Sequence, residues 1–279
     1  MGACMRLCRM TSIVAAVLLF TGLPGAWGQT PRQTAAPSDA VDARTWLGRA
    51  EEIEDYLKQV EIVSLDEIPI GVTKPQRAEL PPGGPVAAFA WKPITPGIYQ
   101  GFWESYKAEI AAYELDKLLH LNMVPVTVEK RVRGDLGAAA MWVAPAQSFK
   151  DLGGRPTPPD EFRRMWNHQL RSAVMFDNLI CNTDSNLGNW LVDPAWNIIL
   201  IDHSRAFTTD TDLVHDMSMT RIILGLWTRM RALTEESLTA ALGEWLNGSE
   251  IRAILERRDR MADEIAKLIE ANGESGVFR

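Results

Sequence analysis

The stretch from Asn189 to Asp202 constrains the fold more than any other part of the chain. Asn189-Trp190-Leu191-Val192 and Ile198-Ile199-Leu200-Ile201 are two short apolar runs, and Asp193-Pro194-Ala195-Trp196-Asn197 between them is turn chemistry, so the segment predicts a β-hairpin. A hairpin returns its two ends to one place. Asn189 at its entrance and Asp202 beyond its exit are therefore predicted neighbours, and Asp184 stands five residues ahead of Asn189 in Asn182-Thr183-Asp184-Ser185-Asn186-Leu187-Gly188-Asn189. Taken alone, this loop reads as an Asx-rich turn closing a helix, because Asn and Asp tolerate turn conformations. The rest of the chain has to supply a reason to read more into it.

Ahead of the hairpin the pattern is mixed. A helix is expected over residues 44–57 and a strand over 60–70; Leu80-Pro81-Pro82-Gly83-Gly84-Pro85 is a turn, and the apolar run from Val86 is a strand that ends at Lys92, where Pro93 stops it. Residues 103–120 carry Ile110, Tyr113, Leu118 and Leu119 at helical spacing, with a closely packing face of Ala108, Ala111 and Ala112. Two more strands, at 124–132 and 138–143, lead to a break at Pro145. After it the pattern is mostly helical: 160–180, entered through Pro158-Pro159, then 234–246 and 249–271, the last capped by Ser249 and closed near Gly273. The expected fold is α+β and two-lobed, a small mixed N-lobe over 41–145 and a mainly helical C-lobe over 146–279.

The first 28 residues stand apart from both lobes. Arg6 and Arg9 precede an apolar run at 13–20 and then Gly22, Pro24 and Gly25-Ala26-Trp27-Gly28, the pattern of a signal peptide. The run is short for a membrane span, so cleavage, export to a periplasmic or secreted location and no stable span in the mature chain are expected; a true start further downstream would instead leave the protein cytoplasmic. Residues 29–40, rich in Pro, Thr, Ala, Ser and Gln, read as a flexible leader. Removing the signal takes away two of the 29 basic residues and none of the 36 acids, moving the net charge from -7 to -9, which argues against a nucleic-acid partner. Two of the three cysteines go with it. Cys181 alone can form neither a disulfide framework nor a thiolate zinc cluster, and it reads as a small buried apolar residue.

Asp184, Asn189 and Asp202 acquire a chemical reading once Lys92 and the helix after it are added. Phosphoryl transfer needs a carboxylate to orient or deprotonate the attacking hydroxyl, hard oxygen ligands to hold Mg²⁺ or Mn²⁺ against the phosphates, and a cation on the nucleotide phosphates with an acid to position it. Asp184 suits the first role, Asn189 and Asp202 the second, and Lys92 the third. Two acids compete to position Lys92: Glu109, in the first half of the helix, and Glu114, about 140° further round it at 3.6 residues per turn. Singly, Lys92 also reads as a snorkelling residue at a strand end and Glu109 as a solvated helix acid. Asp210, Asp212, His215 and Asp216 read as an acid-rich solvated loop, not a second metal site.

The same residues carry a resemblance. Glu104-Ser105-Tyr106-Lys107-Ala108-Glu109-Ile110-Ala111-Ala112-Tyr113-Glu114 through Leu119, followed by Met123-Val124-Pro125, resembles the first-lobe helix and strand of the Golgi casein kinase and four-jointed secretory kinases. Phe176-Asp177-Asn178-Leu179-Ile180-Cys181-Asn182-Thr183-Asp184 through Asn189, and Ile201-Asp202-His203-Ser204-Arg205-Ala206-Phe207, are similar to the catalytic and metal loops of that group, and also to those of the phosphatidylinositol 3- and 4-kinases and the HipA-like kinases. The resemblance covers roughly residues 86–207. It implies a two-lobed protein-kinase-like fold, selects Glu109 over Glu114, makes Gly83-Gly84 the match to a phosphate-covering loop, and implies transfer of the γ-phosphoryl group of ATP to a hydroxyl acceptor on a protein, lipid or glycan. The chain departs from the pattern at Ser185-Asn186, where those kinases carry a basic pair, and at Ser204, where a glycine is common. That departure keeps an alternative open: an exported pseudokinase that binds a nucleotide or a partner without chemistry.

Overall fold

The computed structural model describes residues 41–68, 75–214 and 218–278. The expected signal peptide (1–28) and leader (29–40) lie outside the described residues, as do His215 and Asp216 of the acid-rich loop.

Helix α1 (Ala50–Gln59) buries Ile53 and Leu57 and leads into β1 (Ser64–Glu67), β2 (Gln76–Glu79) and β3 (Ala88–Lys92). A small hairpin follows, β4 (Gly97–Tyr99) with β5 (Phe102–Glu104), then α2 (Tyr106–Leu119), β6 (Thr127–Val132) and β7 (Asp135–Met141). The five longer strands form one antiparallel sheet in the order β1-β2-β3-β7-β6. Ala108, Ala111 and Ala112 are fully buried in α2, as their small size at helical spacing predicts for a helix lying close against a neighbour.

Two local devices fix this lobe. Ser105 caps α2, its hydroxyl accepting from Lys107 N at 3.1 Å. Buried Asp116 near the other end accepts from the backbone N–H groups of Asn122, Met123 and Val124 at 2.9–3.0 Å, which turns the chain into the approach to β6. Burial pushes the Asp116 carboxyl up to about 7 despite those three bonds.

Beyond Met141 the chain makes β8 (Gln147–Ser148), α3 (Arg163–Ile180), β9 (Trp190–Val192), β10 (Ile198–Leu200), α4 (Leu224–Arg231), α5 (Glu235–Leu242), α6 (Gly248–Asn272) and α7 (Glu274–Val277). The expected hairpin is β9–β10, paired Val192↔Ile198 and Trp190↔Leu200, and β8 adds a third strand on β9. Trp166, Ala173, Met175, Phe176, Leu179 and Ile180 of α3 are buried, which makes α3 the spine of this lobe. Arg257 of α6 is the largest fully buried side chain. It donates to the carbonyls of Leu179 at 2.8 Å and Thr208 at 3.1 Å and to that of Asp210, and so ties the segment after the hairpin to the end of α3.

Several elements differ from the sequence expectation. The helix expected from residue 44 begins at Ala50, and the expected strand 60–70 is four residues long among the described residues. Strand β2, Gln-Arg-Ala-Glu, has no apolar pattern of its own and exists because both of its edges are paired. The cap of α6 is Asn247, not Ser249: its side chain accepts from Ser249 N and Glu250 N while Glu250 reaches back to Asn247 N, a complete capping box.

Candidate active site

Strand β3 ends by delivering Lys92 into a cleft of about 1140 Å³ that also takes in Glu109, Asp184, Asn189 and Asp202. The delivery depends on Gly137, on the strand paired beside β3: a side chain there would meet Lys92 O at 2.7 Å and the Pro93 Cα at 2.8 Å, so only glycine admits the end of β3. Lys92 Nζ lies 2.6 Å from Glu109 Oε1 and 2.9 Å from Asp202 Oδ1. Burial works against its charge, but the carboxylates of Asp202 and Glu109 outweigh burial and hold the ammonium above the ordinary lysine value. Asp202, whose side chain is a third exposed, is shifted the other way: burial raises it, and Lys92 overcomes burial and lowers it.

Three successive residues fasten the loop of Asp202 to α2, to its cap and to the end of β5. His203 N donates to Glu109 Oε2 at 3.1 Å, Ser105 N donates to Ser204 O at 2.9 Å, and Arg205 grips buried Glu104 through Nε at 2.9 Å and Nη2 at 2.8 Å. Asp202 itself has φ +62°, a left-handed conformation that Asp tolerates better than most residues. The imidazole of His203 is buried edge-on to Phe176, and burial together with Lys92 lowers it to about 3, so it is neutral.

The second half of the site is the loop between α3 and β9, held by uncharged groups. Ser185 Oγ donates to Asp177 Oδ2 at 2.6 Å and accepts from the Trp190 indole at 2.7 Å. Asn182 Nδ2 donates to Asp177 Oδ1 at 3.0 Å. Asn186 and Asn189 both donate to Asp184 O, at 3.0 and 2.9 Å, and Asn186 also receives Gly188 N at 2.8 Å. Ser185 and Asn186 are therefore the pegs that shape the loop. Asp184 keeps its carboxylate half-exposed in the cleft, 3.4 Å from Arg205 Nη1.

The structure thus brings together Lys92, Glu109 and Asp202, and lines the same cleft with Asp184 and Asn189. Glu114 does not compete for Lys92; it pairs with Lys117 at 3.0 Å. Gly83 and Gly84 are not brought to the site. They lie in the β2–β3 connection, which meets β3 at Ala88, whereas Lys92 is at the opposite end of that strand. A side chain at Gly84 would strike the Tyr56 hydroxyl at 2.2 Å, so this glycine serves packing against α1. Among the described residues of the β1–β2 connection, Ile68 and Pro75 line the cleft. Sequence spacing also passed over Asp177 and Arg205. An acid inside the apolar face of α3 was the available signal for the first, and the second has no partner within 20 residues to betray it.

The donor set suits a hard divalent cation. Asp202 offers a carboxylate and Asn189 a carbonyl oxygen not used in the bond to Asp184, while Cys181 is buried away from it. No group of three or more His, Cys, Asp or Glu side chains that could hold a metal ion occurs among the described residues. Asp212 pairs with Arg260 at 2.7 Å on the surface.

No family model matches the chain, and no curated protein matches it. Solved structures do. The Golgi casein kinase, in a crystal structure with Mn/ADP bound, superposes with a TM-score of 0.61 at 15% identity, over 82% of this chain and 78% of that one. The structure of hydra Fam20 with sugar gives a TM-score of 0.67 at 13% identity over 86% of this chain and 96% of that one. The Helicobacter pylori proinflammatory kinase CtkA gives 0.51 at 11% identity over 77% and 97%. Identities this low speak for the fold alone, and on that level the chain has the atypical protein-kinase-like fold, a small mixed lobe joined to a mainly helical one.

Proposed function

We propose that the protein is a metal-dependent phosphotransferase that moves the γ-phosphoryl group of ATP to a hydroxyl acceptor. One observation carries this reading: a buried lysine lies 2.6 Å from a helix acid and 2.9 Å from Asp202, in the same cleft as Asp184 and Asn189. An ammonium already set between two carboxylates is oriented before a nucleotide arrives, which is how a site of this kind lowers a barrier dominated by positioning and charge. That the Golgi casein kinase was crystallised with Mn/ADP supports the choice of nucleotide and of metal.

In this reading Glu109 holds Lys92 on the nucleotide phosphates, and Asp202 and Asn189 hold Mg²⁺ or Mn²⁺. The metal supplies charge neutralisation of the phosphates when bound. Asp184 orients the acceptor hydroxyl and takes its proton as the acceptor oxygen bonds to the γ-phosphorus and the bond to the β–γ bridging oxygen breaks, releasing ADP. A second reading, nucleotide binding without transfer, is favoured by Arg205 at 3.4 Å from Asp184, because the ion pair engages the carboxylate that an acceptor hydroxyl would need.

Both readings are tested by titrating the chain from Gln29 with ATP and Mg²⁺ or Mn²⁺ in a thermal-shift assay while γ-phosphate release is followed. Metal-dependent stabilisation that disappears in Asp202→Ala, with turnover reduced at least ~100-fold in Asp184→Ala, is the outcome expected of an enzyme. Stabilisation without turnover supports the second reading, and no stabilisation sinks both.

A further inference from the structure

A phosphate chain carries several negative charges, and the terminal group spreads more over its oxygens as it is transferred, so a site that moves it needs a cation able to follow that charge. Among the described residues the cleft is lined by three lysines and arginines: Lys92, Lys150 and Arg205. Lys92 is committed to Glu109 and Asp202. Arg205 is committed to Glu104 and Asp184 and lies over the Phe102 ring at 4.4 Å. Lys150 makes no ion pair among the described residues, and its side chain is exposed in the cleft.

The backbone of Lys150 is nevertheless fixed against the loop that carries Asp184. Ser148 pairs with Leu191, Phe149 N donates to Trp190 O at 2.9 Å, and Lys150 N donates to Leu187 O at 2.9 Å, so the β8–β9 ladder runs on into the loop itself. The stem of Lys150 passes over Gly188: a β-carbon on that glycine would stand 4.0 Å from Lys150 Cδ. Gly188 precedes Asn189 and lies within the Asp184 loop, whose residues 182–189 include no lysine or arginine. A rigidly anchored backbone with a free ammonium at the end of a flexible stem is the design of a ligand-following cation.

We infer that Lys150 is a second phosphate-binding cation of the cleft, reaching from the β8 turn over Gly188 to the phosphate chain of the bound nucleotide and supplying the positive charge that the Asp184 loop itself lacks. The inference rests on the nucleotide reading above and adds to it a residue from outside the Lys92 cluster.

The experiment compares Lys150→Ala and Lys150→Arg with the wild-type chain, using calorimetric titration with ATP and Mn²⁺, the same titration with adenosine, and γ-phosphate release. Lys150→Ala is expected to weaken ATP binding at least about threefold, with adenosine affinity and the ligand-free melting temperature unchanged and most of the loss restored in Lys150→Arg. An ATP loss of less than about threefold in Lys150→Ala, or an equal loss for adenosine, overturns the inference while leaving the phosphotransferase reading intact. Failure of the wild-type chain to bind ATP overturns both.

Discussion

The two halves of the candidate site are built from different physics. On the sheet side, Lys92, Glu109 and Asp202 form a cluster of formal charges in which Lys92 and Glu109 are almost fully buried. On the helical side, the Asp184 loop is fastened by a serine, three asparagines, an indole and the single buried carboxyl of Asp177. A buried charge cluster tolerates the loss of a member badly, because each remaining charge has already given up its water. A hydrogen-bonded loop loses about one bond's worth at a time. The comparison therefore predicts that the sheet side fails abruptly and the helical side by degrees.

The largest effect follows from removing the centre of the charged cluster. Lys92→Ala leaves Glu109 and Asp202 facing each other without a counter-ion, and a loss of roughly 3–5 kcal/mol of folding stability is expected, the range for breaking a buried ion pair. Lys92→Met is expected to lose less, because its side chain refills the volume, and Glu109 is then free to take up a proton. Chemical denaturation of the two variants between pH 5 and 8 measures this: their stability should rise as pH falls, with carboxylates neutralised by protons in place of the lysine. A Lys92→Ala variant as stable as the wild type at pH 7 would remove the contrast between the halves.

The pH dependence of the helical side runs through Asp177. Burial raises its carboxyl from 3.8 to about 7, outweighing the bonds from Ser185 and Asn182, and Asp116 is raised to the same value. Between pH 4 and 7 the unfolded chain has released these two protons while the folded chain still holds them. Each group therefore lowers stability as pH rises through that window, by at most about 1.4 kcal/mol per pH unit. Asp177→Asn removes one of the two contributions. Its thermal stability relative to the wild type should be poorest near pH 4–5 and recover toward pH 7.5. A penalty that grows with pH would mean that Asp177 is ionised in the fold and that this half also rests on charge.

The same contrast governs how much of the molecule could be read from the chain. The hairpin and the pairing of its ends were legible because apolar runs and turn residues are local signals, and Asp184, Asn189 and Asp202 came with it. Lys92 was legible as the end of an apolar strand, whereas the helix pattern left Glu109 and Glu114 as rivals and only the resemblance to the secretory kinases singled out Glu109. Arg205 and Lys150 were not, since a cation on a turn is ordinarily a solvated residue and their partners are set by tertiary contacts about 100 and 37 residues away. Strand β2 was invisible for a related reason: a polar four-residue strand owes its existence to its two neighbours. Ser185 and Asn186 were seen only as a missing basic pair, whereas their own bonds define the loop.

Gly83 and Gly84 give the smallest effect and the sharpest discrimination between a motif and its position. A glycine pair before the lysine strand suggests a phosphate-covering loop, but β3 is five residues long and carries Lys92 at the end away from that pair. Gly84→Ala forces the Tyr56 ring to move, and a loss of about 1 kcal/mol is expected from a disturbed contact with α1. Nucleotide affinity should stay within about twofold of the wild-type value, because nothing at Gly84 reaches the cleft. Titration of Gly84→Ala with ATP and Mn²⁺ beside a melting curve separates the two quantities. Affinity lost in step with the charge-cluster variants would return the glycine pair to the phosphates and move the boundary of the site to the far edge of the sheet.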